Sequence, residues 1–90
     1  MDRNPIFELI PTMEEQIKQV MADILDLDPF SIDETTTQDN TSSWDSLNQI
    51  NLLIALEQEF GVTFDAAEAE SMLSFADILE ILDRKITQTK

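Results

Sequence analysis

Apolar residues recur every three or four positions in three stretches of the chain, and each stretch is bounded by helix-capping signals. The first stretch follows Thr12, which has Glu15 three positions later, the signature of a capping box. Its apolar positions are Met13, Ile17, Val20, Met21, Ile24 and Leu25. This spacing predicts an amphipathic helix over residues 12–26.

The second stretch begins at Ser46 and stops before Gly61, the one glycine of the chain and a residue suited to the positive φ that often ends a helix. We predict a helix from Ser46 to Phe60. Its inward stripe is expected to comprise Leu47, Ile50, Leu53, Ile54 and Phe60, while Asn48, Asn51, Gln58 and Glu59 lie mainly off that stripe.

Two further capping patterns follow, beginning at Asp65 and at Ser74 with an acid three positions later in each case. They predict a short third helix near 66–72 and a fourth helix from Phe75 to about Ile86. The inward positions of the fourth helix are expected to be Phe75, Ile78, Leu79, Leu82 and Ile86. The predicted fold class is therefore all-α: a small four-helix bundle with three longer helices, one short helix and a long first loop.

The long loop between the first two helices contains Pro29 and a polar stretch over 31–43 without helical or strand periodicity. Phe30, Ile32 and Trp44 are expected to pin this loop to the core, so we expect it to be ordered. Trp44 has two open interpretations, an anchor of the loop or a contact for a partner.

A length of 90 residues fits one domain. We place its core at 12–86, with an N-terminal extension over 1–11 and a C-terminal tail over 87–90. No apolar run is long enough for a signal peptide or a membrane span, so we expect no membrane insertion. The lack of cysteine is compatible with a reducing cytoplasm, where we expect the protein to reside as a monomer.

The missing residue types restrict the possible chemistry. Histidine and cysteine are absent, which excludes Ser-His-Asp and Cys-His nucleophiles and the usual zinc ligands. A single glycine cannot form a phosphate-binding glycine-rich loop. We therefore expect neither catalysis nor a metal site.

The charge is strongly negative, with 19 acidic residues against five Lys and Arg and a net charge of −14. No basic residue occurs between Gln19 and Asp83. Such a potential repels nucleic acid and anionic lipid and attracts basic surfaces of other proteins. The predicted partners are proteins with basic docking patches.

The sequence Asp45-Ser46-Leu47 lies where the long loop meets the second helix. Free backbone N–H groups and the positive end of the helix dipole stabilise an anion at such a position. The plainer alternative is that Asp45 or Ser46 only caps the helix.

The stretch W-D-S-L at 44–47, followed by L-I-A-L-E-Q-E-F-G-V at 53–62, resembles the acyl carrier protein family. The resemblance covers roughly residues 12–86 and implies a bundle of three longer helices and one short helix. It further implies that Ser46 receives 4′-phosphopantetheine from coenzyme A through a separate phosphopantetheinyl transferase. The thiol of that arm would carry an acyl group as a thioester to acyl-transferring or acyl-modifying enzymes, so the protein is a carrier and not an enzyme.

The resemblance also indicates the second helix as the recognition surface. The residues expected to contact partners are Asp45, Leu47, Asn48, Asn51, Ile54 and Glu57. Leu47 remains open between a core position and an exposed partner contact. The family often has acids where this chain has Asn48 and Asn51, which indicates a specialised pathway over ordinary fatty-acid synthesis.

Two other interpretations stay open at the level of sequence. One is an acidic helical interaction module that never receives a prosthetic group. The other is a peptidyl or aminoacyl carrier, which shares the arm and differs in cargo.

Overall fold

The computed structural model describes residues 12–88, and within them the chain forms four α-helices and no strand. The helices are α1 (Met13–Leu25), α2 (Ser46–Phe60), α3 (Ala66–Ser71) and α4 (Phe75–Gln88). A 3₁₀ turn, Pro29–Ser31, lies in the loop between α1 and α2. The predicted all-α fold is confirmed. The proposed N-terminal extension, 1–11, lies outside the described residues.

Local capping sets the helix boundaries. Thr12 accepts a hydrogen bond from the backbone N–H of Glu15, whose side chain accepts one from the N–H of Thr12, so the predicted capping box is present. The same reciprocal arrangement joins Asp65 and Glu68 at α3. Gly61 ends α2 with φ 66°, in the left-handed region that glycine tolerates best. The observed helix ends lie within two residues of the predicted ones.

The core lies where α1 meets both α2 and α4. α1 contributes Ile17, Met21 and Leu25, all fully buried. Leu56 of α2 and Leu82 of α4 are equally inaccessible to solvent. Buried apolar side chains from all three longer helices therefore form one core.

The inward face of α2 differs from the predicted stripe. Leu52 and Leu56 are buried, whereas Leu47, Ile50 and Ile54 are exposed. Leu53 and Phe60 are half-buried against the core, as expected of part of that stripe. The prediction failed because α2 has aliphatic residues on both sides, so apolar spacing alone did not define which side packs inward.

The long loop between α1 and α2 is held in place by buried side chains and by backbone hydrogen bonds. Ile32 and Trp44 are buried, as predicted, but Phe30 is 96 % exposed, so its expected role as an anchor is wrong. Backbone hydrogen bonds join Gln38 N–H to the Leu73 carbonyl at 2.8 Å and Phe75 N–H to the Thr36 carbonyl at 3.0 Å. The loop is therefore tied to the junction between α3 and α4.

Hydrogen bonds to the Asp33 side chain also stabilise the conformation of the loop. Asp33 accepts hydrogen bonds from the hydroxyl of Thr35 at 2.6 Å and from its backbone N–H at 2.8 Å. These bonds, with a smaller contribution from Lys18, hold the pKa of the Asp33 carboxyl below its ordinary value. An ionised Asp33 thus stabilises the turn that follows the 3₁₀ segment.

The short helix α3 has no buried residue and is held in place by contacts from its neighbours. Lys85 of α4 donates to Glu68 Oε1 at 2.8 Å, and its ammonium lies 5.7 Å from the ring centroid of Phe64. The hydrogen bond to Lys85 is the largest cause of the lowered pKa of Glu68, and the bond from the Asp65 backbone N–H adds to it. Electrostatics therefore supplement the limited apolar packing of α3.

Candidate functional site

Ser46 is the first residue of α2, and its side chain faces solvent. The residue before it, Asp45, is the N-cap: its Oδ1 accepts a hydrogen bond from the backbone N–H of Asn48 at 2.9 Å. The cap is therefore supplied by Asp45, and the Ser46 hydroxyl is not needed for it. Of the two capping alternatives raised by the sequence, only that for Asp45 is confirmed.

The loop that leads into Ser46 is anchored by Trp44, which is 2 % exposed. Its indole N–H donates to Gln49 Oε1 at 2.6 Å. Trp44 thus belongs to the structural anchor of the loop and does not present its ring to a partner.

Gln49 connects three segments around the site. In addition to accepting from Trp44, its Nε2 donates to the carbonyls of Ala69 at 3.1 Å and Met72 at 3.2 Å. These carbonyls lie at the C-terminal end of α3, where the Ala69 carbonyl also accepts the backbone N–H of Met72 at 3.4 Å. One amide side chain therefore fixes the loop, the first turns of α2 and the end of α3.

The importance of Gln49 was not predicted from the sequence. Its bonds to Ala69 and Met72 span 20 and 23 residues, so no local pattern reveals them. One feature of the sequence could have indicated a structural role for Gln49. It lies one helical turn before Leu52 and Leu53, which places a polar side chain on the inward face of α2.

The predicted partner-contacting residues divide into two groups. Asp45, at the N-cap, and Leu47, Asn51 and Ile54, within α2, are exposed; the exposed fraction is 67 % for Leu47 and 49 % for Ile54. Ile50, which was expected to face the core, is 55 % exposed on the same side. The open question about Leu47 is thus resolved in favour of an exposed position.

Asn48 and Glu57 are half-buried and bonded within the protein. Asn48 Nδ2 donates to the carbonyl of Ser43 at 2.8 Å, and Glu57 Oε2 accepts from the backbone N–H of Phe64 at 2.9 Å. These two side chains support the loops at either end of α2. They are less accessible to a partner than Leu47 or Ile54.

Within the described residues 12–88, no group of three or more acids is arranged to hold a metal ion. In the same part of the chain, no helix is long and apolar enough to cross a bilayer. The functional group that this end of α2 presents to solvent is the hydroxyl of Ser46, at the helix N-terminus.

Comparison with known proteins identifies this arrangement as that of a carrier domain. The family model described as a phosphopantetheine attachment site matches residues 15–83. An acyl carrier protein of Thermosynechococcus vestitus is 33 % identical over 72 residues, which span 80 % of this chain and 89 % of the relative. The chain belongs to the acyl carrier protein family.

Two relatives from Streptomyces avermitilis are similar over comparable lengths. Polyketide-8 synthase acyl carrier protein 2 is 31 % identical over 77 residues, which cover 86 % of this chain and 88 % of the relative. Polyketide-8 synthase acyl carrier protein 1 is 32 % identical over 69 residues, covering 77 % and 82 %. Members of this family are carriers and not enzymes, and their prosthetic group is 4′-phosphopantetheine, bound covalently to a serine.

Proposed function

We propose that this protein carries an acyl group as a thioester on a 4′-phosphopantetheine arm attached to Ser46, and that it moves the group between enzymes of a biosynthetic pathway. The observation that supports this most directly is the position of Ser46. Ser46 is the first residue of α2 and is exposed. Its hydroxyl does not cap the helix, because Asp45 does. A separate enzyme can therefore modify Ser46 without disrupting the helix.

The N-terminus of α2 suits the phosphate that would be attached to Ser46. Attachment forms a phosphoester between the serine oxygen and the pantetheine-bearing phosphate of coenzyme A, releases adenosine 3′,5′-bisphosphate and gives the serine proton to the transferase. The new negative charge would lie at the N-terminus of α2, where the helix dipole stabilises anions. When bound, the arm supplies the thiol that this cysteine-free chain lacks.

The contribution of the protein is tethering and recognition. A covalent tether raises the effective concentration of the acyl group at each enzyme that the protein meets. The net charge of −14 favours encounter with basic patches on those enzymes. The docking surface would be the exposed side of α2, with Leu47, Asn51 and Ile54 accessible and Asp45, Asn48 and Glu57 at its edges.

An acyl cargo, as opposed to an aminoacyl or peptidyl cargo, is supported by the names of the relatives, two of which are polyketide synthase carriers. We therefore propose that the pathway is acyl-chain assembly of the polyketide type. The intact mass of the protein isolated from its native cells should exceed that of the phosphopantetheinylated form by the mass of an acyl group. An added mass that matches an amino acid or peptide would support the alternative.

The attachment itself is tested with coenzyme A and a broad-specificity phosphopantetheinyl transferase. Intact-mass measurement should show the gain of one phosphopantetheine by the wild type and by Ser42→Ala, which removes an exposed serine of the same loop. The Ser46→Ala variant should gain nothing while its helical circular dichroism is unchanged. A folded wild type that stays unmodified by several transferases would favour an interaction module without a prosthetic group.

A further inference from the structure

A groove of about 520 Å³ lies between the start of α1, the long loop and α4, and no residue of α2 lines it. Four of its lining side chains are apolar. Phe75 is 3 % exposed, Met13 and Leu79 are half-buried, and Ala76 is exposed. Met13 belongs to α1 and the other three to α4, so the groove follows the line along which these two helices pack. We refer to it as the α1–α4 groove.

Exposed carboxylates from three parts of the chain also line the α1–α4 groove. They are those of Glu14 in α1, Glu34 in the loop, and Glu80 and Asp83 in α4. Among the described residues 12–88, none of these carboxylates forms an ion pair or a side-chain hydrogen bond. One ammonium lies close by, that of Lys18, at 5.5 Å from the ring centroid of Phe75. The groove therefore has an acidic border that the protein's own basic residues do not neutralise.

The combination of apolar side chains and unpaired carboxylates determines what fits the groove. An apolar surface gains from excluding water from Ala76 and Leu79, and positive charges beside it gain from the carboxylates. The position of Lys18 shows that an ammonium is accommodated against the ring of Phe75. The net charge of −14 repels nucleic acid and anionic lipid, and a second copy of the chain carries the same charge. The complementary surface is therefore apolar at its centre and basic at its edges.

We propose that the α1–α4 groove binds a segment of another protein, an amphipathic helix whose apolar side chains are flanked by Lys or Arg. The stretch of α4 from Phe75 to Asp83 is about 12 Å long, which matches roughly two turns of a bound helix. Because no residue of α2 lines the groove, the bound segment leaves Ser46 and the outward side of α2 uncovered. One partner can therefore hold the protein through α1 and α4 while an enzyme acts at Ser46.

The experiment measures the binding of two synthetic peptides to the full-length, unmodified protein by fluorescence anisotropy. Both peptides are about 15 residues long and carry Leu at helical spacing; the remaining positions are Lys in one peptide and Glu in the other. The Lys peptide should bind at least about tenfold more tightly than the Glu peptide. Its affinity should fall severalfold as NaCl rises from about 0.05 to about 0.5 M, because salt screens the carboxylates.

Variants at exposed positions test whether the Lys peptide occupies the groove. Ala76→Gln places a larger polar side chain in the groove and should weaken binding about tenfold. Glu80→Gln combined with Asp83→Asn should weaken binding severalfold at low salt and little at high salt. The matched control combines Glu59→Gln with Glu70→Gln, which removes the same charge from exposed positions outside the groove and should change the affinity less than twofold. Circular dichroism should confirm that each variant is folded.

Two further measurements place the bound peptide on the surface. Methyl resonances of Met13 and Leu79 should shift when the Lys peptide is added, whereas those of Leu47 and Ile54 should not. With the peptide at saturation, coenzyme A and a transferase should still modify Ser46 to completion, as measured by intact mass. A peptide that blocks this modification would contradict the proposal that the groove and Ser46 are occupied independently.

Other outcomes would overturn the inference as a whole. The inference is wrong if the Glu peptide binds as tightly as the Lys peptide, or if the groove and control charge variants lose affinity equally. About tenfold tighter peptide binding by Phe7→Gln or Ile10→Gln would assign the groove to the N-terminal residues of the chain itself. A wild-type dimer in sedimentation that Ala76→Gln dissociates would assign it to a second copy.

This inference goes beyond the proposed function and does not depend on it. Peptide binding is measured on the unmodified protein, so a chain that no transferase modifies would overturn the proposed function and leave the peptide results standing. Conversely, a protein that gains phosphopantetheine and binds neither peptide would overturn only the inference about the groove.

Discussion

The indole N–H of Trp44 donates to the amide oxygen of Gln49 at 2.6 Å, across the point where the long loop becomes α2. Ser46 lies between these two residues in the chain. Because the amide nitrogen of Gln49 also binds the end of α3, the local geometry at Ser46 is coupled to the placement of α3. The region around Ser46 is therefore held by a polar network that depends on one side chain, Gln49.

Replacing Gln49 should destabilise the protein. Gln49→Leu leaves the indole N–H of Trp44 and the carbonyls of Ala69 and Met72 without this partner, which we expect to cost about 1 to 3 kcal/mol of unfolding free energy. Urea unfolding followed by circular dichroism measures the loss. Hydrogen exchange should accelerate most in α3, whose apolar packing is limited.

Gln58→Leu is the matched control, because Gln58 is exposed on the same helix and its side chain makes no hydrogen bond within the described residues 12–88. Its unfolding free energy should remain within about 0.5 kcal/mol of the wild type. Equal effects of Gln49→Leu and Gln58→Leu would show that the network contributes no stability.

The N-cap of α2 provides a second prediction. Asp45→Ala removes the acceptor of the Asn48 N–H and should cost about 1 kcal/mol of unfolding free energy, whereas Ser46→Ala should change it by only a few tenths. Urea unfolding of both variants provides the comparison. A larger loss of unfolding free energy from Ser46→Ala than from Asp45→Ala would show that Ser46 caps the helix. Its hydroxyl would then be less available for modification.

The Lys85–Glu68 pair predicts a pH dependence of stability. Since the folded-state pKa of Glu68 is lowered, its stabilising contribution is present above the unfolded value of about 4.3 and is lost as pH falls through the folded value. Glu68→Gln, which retains the capping geometry, should lower the melting temperature at pH 7. The difference from the wild type should shrink as pH falls below about 4.

Lys85→Met tests whether the effect of Glu68→Gln comes from the ion pair. In a Lys85→Met background, the effect of Glu68→Gln at pH 7 should be smaller than in the wild type. A difference in melting temperature that persists unchanged at pH 3 would assign the effect to packing or capping instead.

Salt should stabilise the folded protein. Among the described residues 12–88, the basic side chains are Lys18, Arg84 and Lys85, and Lys18 lies 5.5 Å from the ring centroid of Phe75. Acidic side chains therefore far outnumber basic ones in this part of the chain, and repulsion between carboxylates outweighs attraction to the basic groups. Raising NaCl from 0.01 to 0.1 M shortens the Debye length from about 30 to about 10 Å and should raise the melting temperature.

A variant with Glu70→Gln and Glu80→Gln, both exposed positions, should respond less to added salt than the wild type. A melting temperature that stays flat or falls with NaCl in the wild type would mean that like-charge repulsion does not limit stability.

The helix boundaries were predictable because they depend on local capping chemistry. Thr12, Asp65 and Gly61 each act within a few residues of their position in the chain, so their patterns can be read without knowledge of the fold. The position of Ser46 at the start of α2 was also predicted from the sequence, since the motif around it lies in one continuous stretch.

The inward face of α2 and the polar network were not predictable in this way. α2 has aliphatic residues on both sides, so choosing Leu52 and Leu56 over Leu47 and Ile54 requires knowledge of where α1 lies. Gln49 and Glu57 look like ordinary surface residues in the sequence. Their roles arise from contacts that only the tertiary structure creates.

The burial of Trp44 has an optical consequence. It is the one tryptophan of a chain without tyrosine, and it lies two residues before Ser46. Excitation at long ultraviolet wavelengths therefore reports on a single indole, whose emission depends on water access and on its bond to Gln49. The protein thus contains an intrinsic fluorophore that would register, without a label, any opening of the loop beside Ser46.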